Sequence, residues 1–230
     1  MRTGLKILVI GSAALLAGFL LPGTLHSATV LKLSTAEMTE RADRILHGKI
    51  VSAKGRKVFG PRNAAGVASA MIVTDYVIEL SETWKGETAV EGVTSNRAKF
   101  SQPGGVLGGQ GTYIAGAARF KVGEEVVVFL DKPNEKTGAA FTIGLAQGKY
   151  HVELDSAKNK KMVSRTLDEV DLVDALTLNP AAPHENTRRP LTSLRGEVTR
   201  CLDKIEKQKL EKSGKLRRAT PEDSEKSENR

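Results

Sequence analysis

Metal chemistry would fall to four histidines and one cysteine: His26, His47, His151, His184 and Cys201. A structural or catalytic zinc needs three or four protein donors, and helix- or strand-borne pairs appear as HxH or HxxxH spacings with a carboxylate nearby. These histidines stand far apart in such terms, so no metal ligand and no cofactor is assigned. Nucleophilic catalysis would call for a serine in a GxSxG elbow, and none is present. Cys201 falls on the apolar stripe of an expected helix, where a thiol serves as a small buried hydrophobe. A thiol–imidazole pair with His151 is the alternative. The glycine run Pro103–Gly111, PGGVLGGQG, invites a phosphate-cradling role. A P-loop would continue into Lys and Ser or Thr at a helix start, and this one does not. Glu124 and Glu125 are neighbours at the start of a strand, with at least one expected in solvent, and no other carboxylate pair is singled out by spacing. No catalytic residue is assigned, and the expectation is a protein that is not an enzyme.

The elements that would position such residues read as mainly β. Ser34 and Glu37 form a capping box, with Leu33 and Met38 as a hydrophobic staple, so a short helix ends near Ala42. A strand follows over Arg44–Ala53, then a Gly/Pro-rich loop over Gly55–Gly66. Ala70–Trp84 is the clearest long strand: Ile72, Thr74, Tyr76, Ile78 and Leu80 share one face by the two-residue period. Trp84 is expected to continue that face as a buried anchor. Ala89–Thr94, Thr112–Phe120 and Glu124–Leu130 read as further strands, with Pro103–Gly111 a loop. Ala139–Leu154 reads as one or two strands broken at Gly144 or Gly148. Short strands with glycine turns imply a barrel or sandwich. From Thr166 a second capping box and the stripe Leu167, Val170, Val173, Leu176 suggest helix. Asn179–Pro190 is a proline-bearing linker, and Leu194, Val198, Cys201, Leu202 and Ile205 define an amphipathic helix.

The first residues have the order of an export signal: Arg2 and Lys6, an apolar run from Ile7 to Leu21, then Pro22 and the small residues Ser27 and Ala28. The run is about 15 residues, short of the roughly 20 that span a bilayer. The expectation is a chain cleaved near Ala28 or Thr29, exported to the periplasm or beyond the cell, without stable membrane insertion. The organisation expected is residues 1–28 signal peptide, 29–155 β-barrel domain, 156–210 helical C-terminal extension with a Pro-rich linker, and 211–230 disordered tail. The formal charge of +8 does not imply nucleic acid as a partner. Residues 29–187 hold 20 basic and 19 acidic side chains, while 188–230 hold 13 and 8. The excess lies in the tail, and aromatics for base stacking make up only 4% of the chain.

Three segments, ERADRILHGKIVSA (Glu40–Ala53), TDYVIELSETWKGE (Thr74–Glu87) and GEEVVVFLDK (Gly123–Lys132), followed by GLAQGKYHV (Gly144–Val152), resemble an uncharacterised family of exported bacterial proteins. More distantly they resemble the netrin-like module of tissue inhibitors of metalloproteinases. That resemblance, over about residues 40–152, implies an OB-like β-barrel, to which the sequence pattern adds the short N-terminal helix and a C-terminal helical extension. It implies a partner that is another exported protein, such as a protease. The animal inhibitors grip zinc with an N-terminal cysteine, which this chain lacks near Ala28, so no inhibitory residue is carried over. Binding is expected in the two glycine-bearing loops, at Arg62, Asn63, Gln102 and Gln110. A cell-envelope or surface-polymer binder and a secreted hydrolase are the alternatives.

Overall fold

The computed structural model describes residues 28–62, 68–87, 96–181 and 188–219. The chain is mainly β. Its centre is a seven-stranded antiparallel sheet in the order β11-β9-β8-β7-β2-β3-β4. The strands are β2 (Arg44–Arg62), β3 (Ala68–Lys85), β4 (Arg97–Pro103), β7 (Glu125–Leu130), β8 (Lys149–Asp155), β9 (Lys160–Ser164) and the two-residue β11 (Arg189–Pro190). A hairpin of β5 (Gly105–Leu107) and β6 (Gln110–Thr112) and a parallel pair of β1 (Ala28–Leu31) with β10 (Val170–Val173) lie outside it. Among the described residues there are two α-helices, α1 (Thr35–Arg41) and α2 (Leu191–Ala219).

The capping box forms as the sequence implies. Ser34 Oγ accepts from the Glu37 N–H, and the Glu37 carboxylate accepts from the Ser34 N–H. These bonds from Ser34 hold the Glu37 carboxyl below its ordinary pKa. At the other end of α1 the Lys85 ammonium donates to the carbonyls of Thr39 and Glu40, which have no partner within the helix.

Strand β7, EVVVFL, explains the layering. Val126 through Leu130 are all fully buried, so the strand has a core on each side. Val127 and Phe129 point to a cluster with Met38, Ile45, Tyr150, Val163, Leu194 and Val198, covered by α1 and α2. Val126, Val128 and Leu130 point the opposite way, to Leu46, Ile50, Tyr76, Ile78, Phe100 and Phe120. Around the second core the sheet curls. Ser101 of β4 donates its N–H to the Ala140 carbonyl, while Asp131 and Ile143 donate to Phe141 and Phe129. Residues 139–143 thus lie between the outer edge of β4 and the end of β7. Gln147, fully buried in the 3-10 turn Leu145–Gly148, accepts from the Leu33 N–H and donates to the Leu31 carbonyl. It fastens the N-terminal segment to the sheet.

Several expectations are corrected. The expected loop from Gly55 is strand up to Arg62, because β2 keeps pairing with β3 from Gly55↔Thr74 to Arg62↔Ala68. The glycine serves close approach rather than a turn: a Cβ on Gly55 would sit 2.4 Å from the Val106 carbonyl. The expected loop Pro103–Gly111 is largely the β5–β6 hairpin. Thr112–Phe120 is not a strand beyond Thr112; a turn closes from Ile114 to Ala117, with Gly116 at φ 71°. The boundary expected at residue 155 falls inside the β8–β9 hairpin, and Val170–Val173 is strand, not helix. Its residues satisfy both a two- and a three-residue apolar spacing, and pairing with β1 selects the former. Helix α2 runs to Ala219, past residue 211 where a disordered tail was expected. Its expected stripe holds, with Leu194 and Val198 buried.

Trp84 is half-buried and does not continue the face of Ile78 and Leu80. A bulge in the β2/β3 register between Gly48↔Leu80 and His47↔Glu82 exchanges the faces. Trp84 therefore packs with the helix-covered core, while Leu80 stays with the other. Ala89–Thr94 and the signal segment lie outside the described residues.

Candidate functional site

The second core opens into a two-lobed cleft whose divider is Ala117-Ala118-Arg119. The inner lobe, about 570 Å³, lies between the glycine hairpin and the aromatic end of the core. Its lining includes Thr74, Tyr76, Gln102, Gly104, Gly105 and Phe120. Tyr76 stacks on Phe100 with ring centroids 5.4 Å apart, and Phe120 lies 5.1 Å from Tyr76 and meets Phe100 edge-on at 5.0 Å. Burial pushes the Tyr76 hydroxyl pKa up, against a hydrogen bond from the Phe120 N–H.

The hairpin can lie this close because Gly104 and Gly105 have φ of 91° and 130°, where side chains are disfavoured. Thr74 Oγ1 donates to the Gly104 carbonyl, and a Cβ on Gly105 would sit 2.1 Å from that same hydroxyl.

The outer lobe, about 490 Å³, is charged. Lys149 donates to Glu124 Oε1 at 2.7 Å and to the Arg119 carbonyl, and lies 4.6 Å above the Phe120 ring. His151 Nδ1 stands 3.9 Å from Glu124 Oε2. Arg119 donates to both carboxylate oxygens of Glu169 at 3.1 Å and stacks on the Tyr113 ring at 4.6 Å. The Tyr113 hydroxyl donates to Glu169 Oε2 at 2.6 Å, and that bond raises its pKa. Cations and carboxylates are thus matched within the lobe, so it offers shaped polar edges rather than a field of one sign.

Of the four expected binding residues, the cleft contains one. Gln102 is not a solvated loop residue; it is buried on β4, 3% exposed, opposite Thr74. Alternation along β4 places it inward, and its carboxamide contacts Thr142 Oγ1 at 3.2 Å. Gln110 is exposed, pairs with Leu107 in the hairpin and lines a separate, smaller hollow of about 420 Å³ with Lys57 and Met71. Arg62 ends β2, and Asn63 lies outside the described residues. Tyr76, Tyr113, Arg119, Phe120, Lys149 and Glu169 were not selected from the sequence. Their only local signal is aromatic or charged residues flanking the small-residue run Ala115–Ala118.

The remaining reactive side chains lie elsewhere. His47 is buried on β2, with Nε2 2.7 Å from Glu125 Oε1 and Nδ1 without a protein partner. Lys161 donates to the same Glu125 oxygen at 2.6 Å, and the Trp84 ring lies 6.0 Å from the His47 ring. Cys201 is a free, half-buried thiol on α2. His184 lies outside the described residues. Among the described residues no group of three or more His, Cys, Asp or Glu is arranged to hold a metal ion. No described helix is long and apolar enough to cross a membrane. Comparison of the chain with protein-family models, with curated proteins and with solved structures finds no match.

Proposed function

We propose that this chain is an exported, non-enzymatic binding module that engages another exported protein through the cleft and its glycine hairpin. Cleavage of the signal near Ala28 or Thr29 would release it. The observation that carries the reading is the hairpin: a wall of Gly104, Gly105, Gly111, Val106 and Thr112, with the exposed Val106 and Tyr113 at its edge, set beside an aromatic floor. Binding sites concentrate in clefts and in the connections that a rigid sheet positions. The curled sheet supports reading the body as an OB-like barrel, since residues 139–143 take hydrogen bonds from the β4 edge and exchange them with the end of β7. The netrin-like resemblance is compatible with that reading and points to a secreted protease as one class of partner. An anionic envelope polymer is less well matched, because the cleft's cations are paired with carboxylates.

The test is capture of partners from the exported proteome by the full mature chain and by a variant whose residues 104–111 are a Gly-Ser linker. Loss of a saturable partner with retained folding is expected. If the linker variant folds and keeps every partner, the hairpin reading is wrong. Turnover of a peptide, ester or glycan by the wild type, abolished by a point substitution in the chain, would overturn the non-enzymatic part.

A further inference from the structure

We propose that the edge of β2 from Ser52 to Phe59 is a docking edge for an extended, acidic segment of a protein partner, which pairs with it as an added strand. The surface lies outside the cleft, and the proposal does not depend on the cleft reading.

The edge is open. On one side β2 pairs with β3 from Ile45↔Lys85 to Arg62↔Ala68. On the other side its pairing with β7 covers only Arg44 to Lys49. The last backbone bonds there run from the Ile50 N–H to the Glu124 carbonyl and from the Gly123 N–H to the Ile50 carbonyl. At Gly123, with φ of 95°, the chain turns. Beyond Ile50 no strand among the described residues takes the place of β7. In an antiparallel ladder every second residue directs its N–H and C=O away from its partner strand. From Ser52 to Phe59 the register with β3 is unbroken, so the outward groups form a regular row. Such a row is the template that an added strand needs. Ala53 and Lys54 are exposed along it.

The side chains beside the row select the occupant. From Ser52 to Arg62 the strand carries Lys54, Arg56, Lys57 and Arg62, and no Asp or Glu. Arg56 is engaged with Asp75 at 2.5 Å and with the Thr137 carbonyl. Lys54 and Lys57 make no ion pair among the described residues. They stand on opposite faces by the two-residue period, so a carboxylate on either face of an incoming strand meets a cation. Lysine on an edge ordinarily turns other edges away. Two copies of this edge repel, which disfavours a second copy of the chain, whereas an acidic strand is attracted by the same charges. Phe59, on the face of Lys57, is 63% exposed and adds apolar surface beside the cation.

The probes are blocked heptapeptides of alternating Glu and Val, of alternating Lys and Val, and a copy of the first with every backbone amide N-methylated. That copy keeps the charge and loses the N–H donors. Each is titrated into the full mature chain at low salt by fluorescence anisotropy, and amide hydrogen exchange is read with and without peptide. The Glu-Val peptide is expected to bind about tenfold tighter than the Lys-Val peptide, the size of two cross-strand charge pairs changing sign. It should slow exchange at alternate amides between Ser52 and Phe59, and the N-methylated copy should do neither. Lys54→Glu combined with Lys57→Glu should reverse the preference. No binding at millimolar Glu-Val peptide, equal binding by the N-methylated copy, or protection away from this edge overturns the strand pairing, whether or not the double variant folds. Equal affinity for the two charge types, or a folded double variant that keeps the Glu-Val preference, overturns the acidic occupant. So does protection of the same amides by raised protein concentration alone, the mark of a second copy. None of these failures touches the cleft reading, which stands or falls on partner capture by the hairpin variant.

Discussion

Glu125 shows how single residues in this protein are set by partners distant in sequence. Burial alone would raise its pKa, but hydrogen bonds from Lys161 and His47, and their charges, outweigh that and leave it below the ordinary 4.5. A carboxylate whose folded pKa is depressed adds stability that is complete above its unfolded value. That stability is lost as pH falls through the folded value. The urea midpoint of the wild type should therefore fall as pH drops from about 5 to about 3, and Glu125→Gln should lower the midpoint near neutrality while flattening that decline. Parallel declines in the two proteins would refute the assignment. None of this was legible in the sequence, where Glu125 is one of two adjacent glutamates at a strand start. Gln102 was selected for the wrong reason. A polar residue beside a glycine run looks solvated, but the register with Thr74 places it inside.

At the scale of elements, the two-residue period made β3 legible from Ala70 to Trp84, within two residues of its observed start and one of its end. The capping box did the same for α1. What the sequence concealed was the switch of face near Trp84, because a bulge has no compositional mark. Gly48 stands at that switch, buried between Leu80 of β3 and Val126 of β7. A Cβ there would lie 2.1 Å from the Glu79 carbonyl oxygen, which is backbone and cannot rotate away. Gly48→Ala is expected to cost roughly 1–3 kcal/mol in chemical unfolding, as overpacking does. Alanine at Gly111, which also lies outside the left-handed region and meets nothing nearer than 4.0 Å, is the control for loss of a glycine without overpacking. A neutral Gly48→Ala would mean that the strands can part there without loss.

For the whole molecule, the β class and the two helical ends were readable from pattern, whereas the cleft was not. Tyr113, Arg119, Lys149 and Glu169 span 56 residues and meet only because β10 lies beside β1 and β8 beside β7. Topology of that kind leaves no local trace. One feature of that topology governs how the structure comes apart. Strand β7 lends alternate side chains to both cores, so neither can melt while the other keeps its full complement of contacts. The two layers are thus thermodynamically one. Calorimetric and van't Hoff enthalpies should agree, and in a chain carrying Tyr113→Phe and Tyr150→Phe the signals of the remaining Tyr76 and of Trp84, which lie on opposite sides of the sheet, should follow a single transition curve. Separate midpoints for the two fluorophores would mean that the shared strand does not bind the layers into one cooperative unit.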